Sequence, residues 1–451
     1  MRMESGKITK FLKFGSWLLI AWVSLWLMPV TAEEEAASRQ YENVKTRQRQ
    51  AVGQACAVQL EKIQKVFQKT DSPDAPRLRA LVGELSGLTG KVCNSSYEKS
   101  QVYNLLGYSH YSLEDYPRAI ESYLALIAEP EVDERQRTAT RYTVAQLYFS
   151  LEKYAEAARQ LELWQSEATV VSPEGKALLA RTYYYLNRKA EALQLVSAVV
   201  DEALAASKLP REDWWSLQRV LYYERQEYLK VVSVLKQLVT HYPRTSYWQQ
   251  LGGIYGQLER SGDQLAVTDL LRLQKQLKGE RQWLSLAYLY LGADVPFRAA
   301  RVLEQGMAAG DVEKNAKNLE TLGTAWLRAR ENQRALSVLQ QAAGLSDSGV
   351  IAARLASVYL DVDDNEAAVR AAREALRKGG LSRPGLTRMT LGAALANLQC
   401  YREAEPVFRE AANDKVLSKS AGQWLRYVAG EGARRERLME SGADIPGCQL
   451  G

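Results

Sequence analysis

Few residues in this chain have the types and spacing that catalysis or metal binding requires. Two histidines, His110 and His241, and four cysteines in 451 residues leave little material for a zinc or haem site. The glycine-rich sequences that cradle phosphates are absent, as are the HExxH and GxSxG sequences of metalloproteases and serine hydrolases. His110 stands at a packing position of the repeat described below, which favours a place in the core. The sequence therefore predicts a protein that is not an enzyme and that has no cofactor and no metal.

A repeat of about 34 residues organises the chain from residue 100 onward and determines where a functional side chain would lie. Its fullest copy runs Trp248-Gln-Gln-Leu251-Gly252-Gly-Ile-Tyr255. A small residue, expected in the second helix of each unit, recurs every 33 to 39 residues. These residues are Ala119, Ala157, Ala192, Val231, Ala266, Ala299, Ala335, Ala368 and Ala404. The pattern resembles the tetratricopeptide repeat, in which two antiparallel helices approach closely at small side chains.

This resemblance implies an all-α fold, a right-handed solenoid of about nine helix pairs with a helical cap at each end. We place an N-terminal helical cap at residues 33–94, the repeats at 95–413, and a C-terminal capping helix with its tail at 414–451. A single repeat buries its apolar face only against its neighbours. Stability is therefore expected to come from stacking.

The first 32 residues are typical of a secretory signal peptide. Lys7, Lys10 and Lys13 precede an apolar run over residues 17–28, and Ala32 is the small residue that suits cleavage. The alternative is a helix retained as a membrane anchor, although a spanning helix needs about 20 apolar residues. We expect cleavage after Ala32, a periplasmic location and no direct membrane span in the mature chain.

Half of the formal charge of +6 belongs to this leading segment. Without residues 1–32 the chain loses four basic residues and one acidic residue, so its net charge falls to about +3. Such a small excess over so long a chain gives no support for a nucleic-acid partner.

The four cysteines form two groups near the ends of the chain, Cys56 with Cys93 and Cys400 with Cys448. In an oxidising compartment, the simplest of the three possible pairings joins sequence neighbours. Such bridges would fasten each cap to the repeats beside it. The alternative is four buried free thiols.

The repeat positions that line the concave face of tetratricopeptide domains hold a series of aromatic residues in this chain. Tyrosine offers a large contact area with few rotatable bonds and a polar tip, which suits an exposed peptide-binding groove. The alternative is that several of these rings pack between helices. The predicted groove residues are Tyr108, Tyr111, Tyr142, Phe149, Arg181, Tyr184, Tyr185, Tyr223 and Tyr288.

Five stretches of the chain resemble one group more closely than the general repeat does. The most specific are Val312-Glu-Lys-Asn-Ala-Lys-Asn-Leu-Glu320 and Lys378-Gly-Gly-Leu-Ser-Arg-Pro-Gly385, and the others lie at 97–108, 113–120 and 423–427. They resemble the periplasmic repeat protein associated with a second TonB energy-transduction system in some Gram-negative bacteria. The likeness spans residues 95–430. It implies a non-catalytic accessory of TonB, ExbB and ExbD in the uptake of iron–siderophore or haem.

A second reading of the same features is a scaffold subunit of an envelope polysaccharide or protein secretion machine. Both readings make the protein a binding partner of other proteins, and neither requires a reaction at the groove.

Overall fold

The computed structural model describes residues 52–69, 73–445, 447–448 and 450, and the predicted signal segment at 1–32 lies outside them. The described residues form 21 α-helices and one isolated bridge between Thr89 and Cys93. None of these helices is both long enough and apolar enough to cross a membrane. The chain divides after Ala168 into two compact units.

In its described residues, the first unit contains two leading helices followed by two helix pairs. Its helices are α1 (Gln54–Lys69), α2 (Ala75–Ser86), α3 (Ser96–Ser112), α4 (Tyr116–Ala128), α5 (Glu134–Ser150) and α6 (Tyr154–Glu167). Cys56, Leu81 and Val102, from α1, α2 and α3, lie in one apolar cluster. The helices α3 with α4 and α5 with α6 pack as pairs.

The second unit contains seven further pairs and a long final helix. Its helices are α7 (Pro173–Tyr185), α8 (Lys189–Ala205), α9 (Glu212–Glu224), α10 (Tyr228–His241), α11 (Thr245–Gln257), α12 (Ser261–Leu273), α13 (Glu280–Gly292), α14 (Pro296–Ala308), α15 (Ala316–Arg328), α16 (Asn332–Leu345), α17 (Val350–Asp361), α18 (Asn365–Lys378), α19 (Pro384–Asn397), α20 (Tyr401–Ala411) and α21 (Ser418–Glu440). Each odd-numbered helix from α7 to α19 packs on the helix that follows it, and α21 packs on α20.

The prediction of an all-α fold built from about nine helix pairs is confirmed. The limits of the predicted caps stay predictions. Both predicted disulfide bridges are present: Cys56 is bonded to Cys93 and Cys400 to Cys448, so the described chain has no free cysteine.

The turn inside each pair has the same backbone geometry in all nine copies. Each turn contains one non-glycine residue with a left-handed φ between 56° and 63°. In the first copy, the N–H of Asp115 bonds to the carbonyl of His110 (2.9 Å), which closes the end of α3. The nine residues are Glu114, Glu152, Asn187, Gln226, Glu259, Asp294, Arg330, Asp363 and Gln399.

Glycine at one of these turns is expected to stabilise the protein. The left-handed conformation costs a non-glycine residue about 1–2 kcal/mol, and glycine avoids most of that cost. Glu259 is suitable because it is exposed and its φ is 56°. We expect Glu259→Gly to raise the thermal unfolding midpoint, with Glu259→Ala close to the wild type. Equal midpoints for the two variants would contradict a strained turn.

Small residues of the first helices lie directly against large residues of the second helices. A β-carbon built on Gly323 would lie 2.6 Å from Leu339, which is fully buried. A β-carbon on Gly392 would lie 2.6 Å from the ring of Phe408. The two backbones therefore approach closely only because these positions lack side chains.

We expect Gly323→Ala to destabilise the second unit by about 1–3 kcal/mol, the usual cost of overpacking. Gly344→Ala is the matched control, because a β-carbon at Gly344 meets nothing within 4 Å. Thermal and urea unfolding of both variants measure the difference. An unchanged midpoint for Gly323→Ala would show that the two helices can separate at little cost.

The sequence alignment of the fifth pair was wrong by one residue. Ala266, the predicted small residue of α12, is exposed, and Val267 occupies that place with 8% exposure. Val267 faces Gly252 of α11, 3.5 Å from the position of an added β-carbon. Leu271 follows four residues later and is buried, as the corresponding residue is in the other pairs.

A buried carboxylate fastens the start of α1 to the start of α3. One oxygen of Glu98 accepts the backbone N–H of Gly53 (2.7 Å), and the other accepts those of Asn94 (2.9 Å) and Ser95 (3.0 Å). The Ser95 side chain accepts the N–H of Glu98 in return, which completes a capping box. These bonds, led by the one from Ser95, hold the pKa of Glu98 below its usual value.

We expect Glu98→Gln to destabilise the first unit at pH 7 by about 1–3 kcal/mol, because one neutral amide oxygen replaces two charged acceptors and the amide NH2 cannot accept the remaining backbone N–H groups. The folded-state pKa is lowered, so this stabilisation is present above the unfolded value of about 4.3 and disappears as the pH falls through the folded one. The difference in unfolding midpoint between variant and wild type should therefore be smaller at pH 3 than at pH 7. Glu121→Gln, at an exposed residue, is the control. An equal gap at both pH values would contradict this role.

Candidate partner-binding surface

The predicted groove residues differ in how much of each ring is available to a partner. Tyr185, Tyr223 and Tyr288 are exposed by 44%, 41% and 49%. They lie on the first helices of the third, fourth and sixth pairs. Counted from the turn of each pair, the repeat positions of Tyr223 and Tyr185 lie three and four residues after that of Tyr288, so all three belong to one face of the first helix.

In the first pair, the two predicted rings are half-buried and pack inside the protein. Tyr108 meets Phe67 of α1 edge to face, with 5.2 Å between ring centroids. Tyr111 lies 5.9 Å from the ring of Tyr116, the first residue of α4. Burial raises the pKa of Tyr111. Both rings therefore help to hold the helices of the first unit together.

The second pair repeats this arrangement. Tyr142 lies 5.3 Å from the ring of Trp164 in α6. Phe149 meets Tyr154, the first residue of α6, edge to face at 5.4 Å. In the first unit, packing between helices thus engages all four predicted aromatic residues.

Polar bonds fix the remaining two predicted residues in place. Arg181 of α7 pairs with Asp213 of α9 at 2.6 Å. The hydroxyl of Tyr184 donates to Glu224 Oε1 (3.0 Å), and Lys189 Nζ lies 3.0 Å from the other oxygen of Glu224. Burial, followed by the bond and charge of Glu224, raises the pKa of Tyr184 to about 12. These contacts join the first helices of the third and fourth pairs.

Beside these bonds, two exposed rings are held by aromatic neighbours. Tyr185 meets Tyr184 edge to face at 5.7 Å. Tyr223 meets Tyr228, the first residue of α10, in the same way at 5.8 Å. Each ring is therefore oriented while about two-fifths of it stays open to solvent.

Tyr288 borders a groove that sequence reasoning did not predict. Arg281, Leu284, Ser285 and Tyr288 lie on one face of α13, and the start of α12 forms the opposite wall. The groove has a volume of about 850 Å³.

His110 lies in the interior, with 9% of its surface exposed. Burial is the main cause of the lowered pKa of its imidazole, which favours the neutral form. Its Nδ1 has no hydrogen-bond partner among the described residues. Within the same part of the chain, no group of three or more His, Cys, Asp or Glu residues is arranged to hold a metal ion.

Comparison with protein-family models finds no matching family. The search of curated proteins likewise finds no match. Among solved structures, the chain is similar to a tetratricopeptide repeat protein from Parabacteroides merdae, with 15% identity over 58% of this chain and 99% of that one (TM-score 0.35).

The chain is also similar to the C-terminal part of a repeat-containing protein from Cytophaga hutchinsonii, with 17% identity over 60% of this chain and 93% of that one (TM-score 0.33). A third similar structure is the TPR2AB domain of yeast Sti1 in complex with pHSP90, with 11% identity over 61% and 98% of the two chains (TM-score 0.32). These likenesses concern the fold.

Proposed function

We propose that this protein is a non-catalytic scaffold that binds an extended segment of a partner protein along the first helices of its second unit. The observation that carries the proposal is the exposure of Tyr185, Tyr223 and Tyr288, at 41–49%, on the same face of these helices. Among the described residues, only Phe297 and Tyr427 are other aromatic side chains of similar exposure, and the remaining aromatic rings are buried or half-buried. Large rings left open on one face favour contact with another molecule.

The chemistry of this face suits a peptide. Tyrosine contributes a wide apolar ring and one polar group, and only two torsion angles are restricted when it binds. Around Tyr185 and Tyr223, the Arg181–Asp213 pair and the bond from Tyr184 to Glu224 hold neighbouring first helices together. A partner would therefore meet a surface that is already ordered, which lowers the entropy lost on binding.

We further propose that the partner belongs to a TonB, ExbB and ExbD system for iron–siderophore or haem uptake and that the protein acts in the periplasm. The support is the sequence resemblance, above all at residues 312–320 and 378–385. In the structure, Asn315 caps α15 by accepting the N–H of Asn318 (2.9 Å). Lys378 Nζ donates to the carbonyls of Ala343 and Ser346, 2.7 Å from each, at the end of α16.

Both stretches thus close turns between repeats, away from the exposed tyrosines. Through these two stretches, the resemblance supports a repeat architecture shared with that group. The identity of the partner is tested separately.

Affinity purification of the tagged chain from cell envelopes, followed by mass spectrometry, provides that test. We expect TonB, ExbB or ExbD to copurify with the wild type and to be lost with Tyr185→Ala plus Tyr223→Ala. A strain that lacks the gene should lose TonB-dependent iron uptake. The wild-type chain should fractionate with the periplasm, and its N-terminal residue there should be the one after Ala32. Unimpaired uptake together with copurification of secretion or polysaccharide-export components would favour the second reading instead.

A further inference from the structure

The groove between the fifth and sixth pairs exists because few side chains fill it. The helix α12 buries only Val267 and Leu271, whereas α14, its counterpart in the next pair, buries six residues. In α11, Gly256 is covered only by the side-chain amide of Gln264, which forms part of the groove wall.

The apolar core of the second unit changes at the same place. One buried cluster extends from Ala177 to Val267, and a second extends from Leu271 to Val428. Trp248 of α11 is half-buried and packs against both clusters. The groove lies at this junction, and its volume of about 850 Å³ is in the size range of sites that hold a small ligand or several side chains.

The lining of the groove combines apolar side chains with one cation, Arg281, and one acid, Glu280. Leu284, Leu289 and the exposed half of Tyr288 form the apolar part. Arg281 stands on the rim, and its guanidinium makes no ion pair with any described residue. Glu280, the neighbouring acid, accepts a hydrogen bond from the side-chain amide of Asn318 (2.5 Å).

A second unpaired cation follows one repeat further along. Lys317 takes the same place at the start of α15 that Arg281 takes at the start of α13, and its side chain is exposed with no ion pair in the described chain. Glu320, an acid of α15, is already paired with Arg354 at 3.0 Å. Helix N-termini also carry partial positive charge. Acidic groups on a partner would complement this rim.

We propose that the groove receives a large apolar side chain of an extended acidic segment of the partner protein, with carboxylates of that segment against Arg281 and Lys317. This inference rests on the proposed function and specifies the chemistry of the partner. The apolar side chain would displace water from Leu284 and Tyr288, and the carboxylates would set the register of the segment.

The probe is a phage-displayed library of random dodecamer peptides, selected on the purified, disulfide-bonded full chain. Enriched peptides are then synthesised with a fluorescein label, and binding is measured by fluorescence anisotropy. Ser285→Trp fills the groove with an indole, and Arg281→Glu reverses the charge at its rim. Ser233→Trp and Lys236→Glu, at exposed residues of the second helix α10, are the matched controls. Circular dichroism verifies that all four variants fold.

We expect enriched peptides to combine one large apolar residue with two or more Asp or Glu residues. Ser285→Trp and Arg281→Glu should each weaken binding at least tenfold, and the two controls should bind as the wild type does. Enrichment of basic peptides would overturn the proposal. Peptides that bind Ser285→Trp normally but lose affinity for Tyr185→Ala plus Tyr223→Ala would overturn the groove proposal and leave the proposed function intact. If no peptide is enriched, both are contradicted.

Discussion

Replacing Tyr223 and Tyr288 together by alanine is expected to weaken partner binding about 100-fold while leaving the helical fold unchanged. Both rings are exposed by more than two-fifths. Aromatic anchors of this kind typically contribute about 1–4 kcal/mol each to an interface. A loss of about 2.7 kcal/mol corresponds to that 100-fold change. Titration calorimetry with the copurifying partner and circular dichroism of the variant measure the two quantities.

Tyr108→Ala provides the contrasting control for this experiment. That ring packs against Phe67 inside the first unit, so its loss should lower stability and change binding little. If Tyr223→Ala with Tyr288→Ala destabilises the protein as Tyr108→Ala does, and binding is unchanged, the exposed rings are structural.

Removing the Cys56–Cys93 bridge is expected to have the largest effect on stability. The bridge joins residues 37 apart, and a closed loop of that length restricts the unfolded chain by about 3–4 kcal/mol. Both cysteines are fully buried in the cluster shared by α1, α2 and α3. We expect Cys56→Ala with Cys93→Ala to lower the unfolding midpoint of the first unit markedly, and proteolysis to cut first within residues 54–93.

The second bridge gives an internal comparison. Cys400 is buried, but Cys448 lies exposed in the segment that follows α21. In the variant Cys400→Ala with Cys448→Ala, proteases should cleave that segment more readily. The thermal unfolding midpoint of the repeats should stay close to that of the wild type. Equal losses of stability for the two double variants would contradict the greater role of the buried bridge.

The helix pairs could be predicted from the sequence because close helix contacts restrict residue type strongly. Gly323 and Gly392 leave room for Leu339 and Phe408, and no larger residue fits without displacement. The fifth pair was misaligned because Ala266 and Val267 are adjacent and both small enough for the pattern. Burial of Val267 depends on the rotation of α12, which a repeat pattern does not determine.

The candidate surface could be predicted only in part, because exposure depends on neighbouring helices. Tyr111, Phe149 and Tyr223 share one repeat position, and each meets a tyrosine that begins the next helix. Of these three, only Tyr223 is left well exposed. The groove beside Arg281 was missed because it arises from absent side chains.

Site-specific photo-crosslinking in living cells tests binding through the first helices most directly. A benzophenone amino acid is placed at Tyr185, Tyr223 or Tyr288, and at Leu204 or Leu229 as exposed positions of the second helices α8 and α10. We expect the three tyrosine positions to crosslink to one protein of the TonB system, and the two leucine positions to give no such product. Crosslinks to that protein from Leu204 and Leu229, with none from the tyrosine positions, would contradict binding along this face.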